Sequence, residues 1–196
     1  MRIEWLGHSC FLLTTSEGRT LLTEPYDPGH YQDSLNYAPV DTAADVVTVS
    51  HAHPDHNHVE AVAGQPLLVT TPGQHTVAGF QINGLATFHD AVAGAQRGDN
   101  IIFTIASDGL TICHLGDLGG ELTTEQVGAI GAVDVLLISV GGVFTIDAAE
   151  ATRLWQQLAP PITIPMHYHN EKCLFRIDGV DMFLAGKPRV EQVAAG

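Results

Sequence analysis

The chain has 196 residues, 45% of them hydrophobic and 7% aromatic, enough for one well-cored domain over residues 1–196 and short for two. Its 22 acidic against 8 basic residues leave a formal charge of −14, which repels phosphate backbones and anionic lipid, so neither nucleic acid nor membrane is an expected partner. Cys10, Cys113 and Cys173 are far apart and outside any CxxC spacing, and no long apolar run suggests a signal peptide or a span; free thiols and a cytoplasmic location are expected.

In chain order, "RIEWL", "CFLLTT" and "RTLLTE" read as strands, rich in Leu, Ile and Thr. "DVVTVS" and "PLLVT" follow on either side of a histidine-rich segment, and "NIIFTIA", "LTICHL", "DVLLIS" and "ITIPM" continue the pattern. Helical spacing marks "LTTEQVGAIG" and "DAAEATRLWQQLAP", the second with Asp147 as N-cap and Glu150 three residues on. The class is mixed α/β, without a low-complexity segment or a linker.

An internal echo accompanies these elements. "FLLTTSEGRTLLTEP" and "FTIASDGLTICHLGDL" each turn at Gly and then run to a strand-end acid, Glu24 and Asp117 respectively. Each is followed by an Asp-Val strand, "DVVTVSHAH" or "DVLLISVGG". Two copies of one sheet-building unit suggest two sheets face to face with helices outside them.

The segment "SHAHPDHNH" carries the chemistry. His51 and His53 are two apart just past a buried-type strand, so an extended backbone points both imidazoles the same way. Pro54 stops the ladder and redirects the chain, letting Asp55 and His56 face a neighbouring point. One short segment can then serve two adjacent cations, and the absence of cysteine argues against a closed structural zinc site. His58 falls after the turn and reads as surface or support, and His30, His75 and His169 as surface or pocket residues.

"SHAHPDH" resembles the HxHxDH signature of the metallo-β-lactamase superfamily, and "WLGHSCF", "FHD", "HLGDLG", "SVGG" and "PMHY" follow the order of its small, lactonase-like bacterial branch. The resemblance implies a four-layer αββα sandwich with two divalent metal ions at the rim, Zn²⁺ first and Mn²⁺ or Fe²⁺ as alternatives. It adds His89, Asp117 and His167 as ligands. One ion would take His51, His53, His89 and Asp117, and the other Asp55, His56, Asp117 and His167. Locally, His89 closes the run "FQINGLATF" and His167 follows "ITIPM", both strand-to-loop positions. His114, three residues before Asp117, is the rival to His89; alternation in a regular strand would turn it away from Asp117, unless Gly116 bends the chain.

The superfamily commonly has Asp where this chain has Glu24, an acid that braces ligands, and Asp27 is close enough in sequence to share that role. The implied activity is hydrolysis of a small lactone, ester or phosphodiester by a metal-bridging hydroxide, with a superfamily nuclease or a non-catalytic metal-dependent sensor as alternatives. Asp55 and Asp117 would hold metal and relay a proton, and His8 or Tyr168 would steady the developing oxyanion. Arg97, Lys172 and Arg176 can meet an anionic group, although each reads as solvated surface. The expected partner is a small-molecule substrate, and homo-oligomer formation is left open.

Overall fold

The computed structural model describes residues 1–193. Strands β1 (Arg2–Gly7), β2 (Cys10–Thr14), β3 (Thr20–Thr23), β4 (Val46–Thr48) and β5 (Leu67–Val69) form one sheet in that order. The second sheet holds β6 (Gly73–Val77), β7 (Phe80–Phe88), β8 (Asp99–Ser107), β9 (Leu110–His114), β10 (Val135–Ser139) and β11 (Ile162–Met166), in the order β11-β10-β9-β8-β7-β6. Helices α1 (Thr124–Ile130), α2 (Ala148–Leu158) and α3 (Asp181–Leu184) complete the described elements, with a 3-10 turn at Val59–Ala61.

The echo in the sequence is an echo in the pairing. Two antiparallel and then two parallel pairings build β1 to β5, and the same succession builds β7 to β11. Corresponding residues make corresponding bonds: Thr20 N donates to Asp45 Oδ2 at 2.9 Å, and Thr111 N to Asp134 Oδ2 at 2.8 Å. β6 is an added edge strand that the sequence does not announce, since "GQHTV" has no apolar alternation.

Period-2 alternation assigns each strand face. Phe11, Leu13, Leu21 and Val46 of the first sheet meet Phe103, Ile105, Ile112, Val135 and Leu137 of the second in the central core. Truncating one of its buried phenylalanines to Ala would cost about 3–5 kcal/mol. The opposite faces of β8 to β10, Ile102, Cys113, Leu136 and Ile138, pack against α1, α2 and α3. Asp147 opens α2 with a full capping box, accepting from Ala149 N and Glu150 N while Glu150 reaches back, a device worth about 1 kcal/mol.

A parallel pair needs a long crossover, and here the halves differ. In the second half α1 and α2 make the crossovers; in the first, irregular chain over 24–45 and 49–66 does so, and covers Leu22, Val47 and Val49 with Tyr26, Leu35, Val40 and Val62. The outer layer of the first sheet is thus loop and 3-10 turn where a four-layer αββα plan suggests α-helix. All three cysteines are free and buried, as core filler. Among the described residues, no helix is long and apolar enough to cross a membrane.

Candidate metal centre

Strands β1, β3 and β4 are parallel within the first sheet, and β7, β9 and β11 within the second; they release His8, Glu24, His51, His89, Asp117 and His167 at or just beyond their C-terminal ends. Three of these strand-end residues hold left-handed backbone, His8 at φ 51°, Glu24 at 46° and His167 at 50°, a strain that local sequence does not favour. Backbone of this kind turns each chain sharply off its sheet, so the side chains converge at one end of the sandwich.

Asp117 stands at the centre. Its Oδ2 lies 3.2 Å from His167 Nε2, 3.3 Å from both His56 Nε2 and His89 Nε2, and 3.9 Å from His51 Nε2. Two donor groups share no member, His51, His53 and His89 in one and His8, Asp55, His56 and His167 in the other, and a third, Glu24, His51 and His56, overlaps both. Asn100 on β8, which the sequence does not single out, pins the Asp117 turn: its Oδ1 accepts from Asp117 N at 2.9 Å and its Nδ2 donates to Leu115 O at 3.0 Å. Gly116, at φ 56°, permits the approach, since a Cβ there would stand 2.7 Å from Ser50 Cβ.

Glu24 supports two of the histidines and is fully buried. Its Oε1 accepts from Ser50 N at 2.7 Å, and its Oε2 accepts from Ser50 Oγ at 2.6 Å and from His56 Nδ1 at 2.8 Å. Ser50 Oγ, having donated to Glu24, accepts from His51 Nδ1 at 2.9 Å. Both rings therefore carry hydrogen on Nδ1 and turn Nε2 toward Asp117. Asp27 does not share this role: its Oδ1 accepts from Gly29 N in a local turn at 2.9 Å.

The electrostatics are those of a crowded, buried cluster. Burial, aided by His56, pushes His51 down to about 2; burial, aided by His167, takes His8 down to about 4, and burial also lowers His89. Burial acts the same way on His56, yet Asp117 and Asp55 outweigh it and hold that imidazole well above its ordinary value. Burial disfavours ionised Asp117 and Asp55, and the histidines around each outweigh it, so both carboxyls titrate below the usual range.

Cation chemistry can be tested against this arrangement. His51 Nε2, His56 Nε2 and Asp117 Oδ1 are buried and have no hydrogen-bond partner among the described residues, an arrangement that is costly unless something else binds there. Imidazole nitrogens and carboxylate oxygens are the donor set that Zn²⁺, Mn²⁺ and Fe²⁺ accept. The residues fit such ions.

Other sequence expectations meet the structure differently. His114 is engaged on both nitrogens, with Nε2 donating to Ser9 O at 2.9 Å and Nδ1 accepting from Gly116 N at 3.0 Å, which leaves it no free donor atom. Tyr168 is a correction. It stacks on Trp5 at 5.9 Å and lines an outer groove with Trp155 and Val180, because the residue after His167 points to the other side of the chain. The tyrosine at the centre is Tyr31, whose hydroxyl donates to Asp55 Oδ1 at 3.3 Å, while His8 Nε2 lies 3.2 Å from Asp55 Oδ2. His58 stands outside the cluster, its Nδ1 facing Tyr26 O at 3.4 Å, and His75 and His169 bond to backbone elsewhere.

The family model for the beta-lactamase superfamily domain matches residues 2–167. A UPF0173 metal-dependent hydrolase of Methanoculleus marisnigri is 31% identical over 193 residues, covering 86% of this chain and 81% of its own. The structure of a Thermotoga maritima protein assigned to the Zn-dependent hydrolases of the metallo-β-lactamase superfamily is similar at a TM-score of 0.76 and 41% identity, over 93% of this chain and 83% of that one. A metal-dependent hydrolase fold from Parabacteroides distasonis, at 17% identity and a TM-score of 0.67 over 94% of this chain and 88% of its own, shares the architecture. With the histidine motif, the paired sheets and the rim cluster in agreement with these matches, the chain belongs to the metallo-β-lactamase superfamily.

Proposed function

We propose that this metal-dependent hydrolase acts through two divalent cations, zinc foremost, on a small lactone, ester or phosphodiester. The observation that carries the reading is Asp117: one buried carboxylate oxygen within 3.2–3.9 Å of four imidazole nitrogens drawn from two donor groups. His51, His53 and His89 would hold one ion, Asp55, His56 and His167 the other, and Asp117 both. Bound there, the cations would supply Lewis acidity that lowers the pKa of water toward neutrality and polarises the scissile group.

The chain's own side chains do the rest. Glu24 keeps His51 and His56 in the tautomer that offers Nε2. His8 and Tyr31 each bind one oxygen of Asp55, which orients that carboxylate, while His56 and His8 outweigh its burial and keep it ionised. Burial raises the Tyr31 hydroxyl above its ordinary pKa, so it stays a donor at neutral pH and can turn from Asp55 to a developing oxyanion. The charge of −14 favours a small substrate over nucleic acid.

Purified protein reconstituted with Zn²⁺ or Mn²⁺ should approach two ions per chain by elemental analysis and should turn over members of a panel of lactones, esters and phosphodiesters. Asp117→Ala should lose both metal occupancy and turnover. Metal-free wild type after reconstitution would sink the reading, as would undiminished turnover in Asp117→Ala.

A further inference from the structure

The loop that follows His89 is built around one carboxylate. Asp90 is buried, and its Oδ1 accepts from Val92 N and Gly94 N at 2.9 Å each, while its Oδ2 accepts from Gln96 N at 2.9 Å and Arg97 N at 2.8 Å. Four backbone donors on one side chain fix the course of residues 92–97, and with it the point from which the Arg97 side chain departs. That side chain is fixed as well, its guanidinium lying 5.5 Å from the centroid of the Phe144 ring.

Arg97 differs from the other arginines near carboxylates. Arg2, Arg19 and Arg153 pair with Glu4, Asp45 and Glu121, whereas Arg97, like Arg176 and Arg189, has no ion pair among the described residues. It lines a cavity of about 770 Å³ together with His51, His53, Asn57 and Phe88. Asp99 lines the same cavity and forms no ion pair with it. A guanidinium stacked on a ring keeps its in-plane N–H donors free, and their fork matches the two oxygens of a carboxylate.

The ring beneath Arg97 continues into an aromatic rim. Phe144 stands 6.3 Å from Phe175, and Phe175 stands 5.3 Å from Tyr31 and 5.7 Å from His8. An apolar wall therefore leads from the cation to the Asp55 side of the cluster, with Val143 and Phe144 partly exposed along it. Arg97 thus shares a cavity with His51 and His53 of the cluster and lies over Phe144, the first ring of the apolar wall, in a chain with 22 acidic residues against 8 basic ones.

We propose that Arg97 is a specificity-determining residue, and that the substrate is an amphiphilic monoanion: an ester or lactone with its scissile group at the histidine cluster, its apolar body along Phe144 and Phe175, and a separate carboxylate on Arg97. The inference rests on the hydrolase reading and names the substrate class within it.

Two chromogenic esters of equal acyl length test it, the neutral 4-nitrophenyl butyrate and the monoanionic 4-nitrophenyl hemisuccinate. The quantity read is the ratio of kcat/KM for the anionic over the neutral ester, on Zn²⁺-loaded protein. Arg97→Ala and Arg97→Gln should each lower that ratio about 10–100-fold, the loss expected for a charge-assisted bond, chiefly through KM for the hemisuccinate. Arg97→Lys should recover part of it. An unchanged ratio in both neutral variants overturns the inference and leaves the hydrolase reading standing.

The second arm uses equilibrium binding of succinamate and butyramide to the same Zn²⁺-loaded proteins, followed by calorimetry. Succinamate should bind more tightly than butyramide to wild type, and the preference should vanish in Arg97→Ala. If this preference holds while neither these esters nor any member of the lactone, ester and phosphodiester panel is turned over, the hydrolase reading fails and the anion site stands. A preference for succinamate that survives in Arg97→Ala overturns the site, because the carboxylate is then held elsewhere.

Discussion

Glu24→Gln is the sharpest perturbation of the centre, because it changes one oxygen to an NH₂ group with almost no change of volume. Glu24 accepts three bonds, at 2.7, 2.6 and 2.8 Å, and two of them converge on Oε2. A carboxamide keeps one accepting oxygen. If that oxygen stays on Ser50 N, the new NH₂ faces two donors, Ser50 Oγ–H and His56 Nδ1–H, and both must turn away. His56 would then shift its proton to Nε2, the atom proposed to hold metal. Loss of one bond to a charged acceptor is worth about 1.5–3 kcal/mol. At about 1.4 kcal/mol per decade that is a roughly 10–100-fold weakening, which matches the cost of removing a partner behind a metal-ligating histidine. Competition with a chromophoric chelator should show Zn²⁺ affinity reduced by that factor, with two ions still bound at saturating metal and part of the turnover retained. Unchanged affinity would refute the tautomer argument. Complete metal loss equal to that of Asp117→Ala would show that Glu24 is itself a ligand.

Three further outcomes follow from the geometry. His114→Ala leaves Gly116 N without its partner and Ser9 O with only Thr23 Oγ1, so denaturation should show a loss of about 1–3 kcal/mol while elemental analysis still finds two ions per chain. Gly116→Ala combines a left-handed backbone with a Cβ driven against Ser50 and Asn100, and should cost at least about 2 kcal/mol and lower metal occupancy together with stability. Asp90 titrates at about 2, because its four backbone donors outweigh the burial that opposes ionisation. A carboxyl held low in the folded state stabilises it above the ordinary value of about 3.9 and loses that contribution as pH falls toward the folded value. The difference in Tm between wild type and Asp90→Asn should therefore be full at pH 7 and shrink between pH 4 and pH 2; a difference independent of pH would refute it.

Much of this was legible in the chain because the relevant signals are local. The duplicated hairpins and their Asp-Val strands foretell both sheets, and His51 and His53 follow "DVVTVS" at the spacing that points two rings together. His89 and His114 could not be ranked by pattern alone, because the decision lies in Ser9 O, a contact 105 residues away. Tyr168 misleads for a related reason: adjacency to His167 in sequence becomes opposition across the strand end. Tyr31, Phe144 and Phe175 were invisible as site residues, since each stands in an irregular loop and reaches the centre through long-range packing. β6 was missed because an edge strand half exposed to water needs no apolar alternation.

The repeated pairing pattern separates frame from chemistry. Ser50, His51, Ala52 and His53 at the end of β4 correspond to Ser139, Val140, Gly141 and Gly142 at the end of β10. One half carries imidazoles there and the other glycines, and a Cβ on Gly141 would run into the His167 carbonyl. The bare strand end gives the His167 backbone its room, so the two halves carry different chemistry on strands that pair alike. For engineering, the bare twin is also a natural pattern for a scaffold without its centre: His51→Val and His53→Gly copy residues that this same fold already carries at the equivalent strand end.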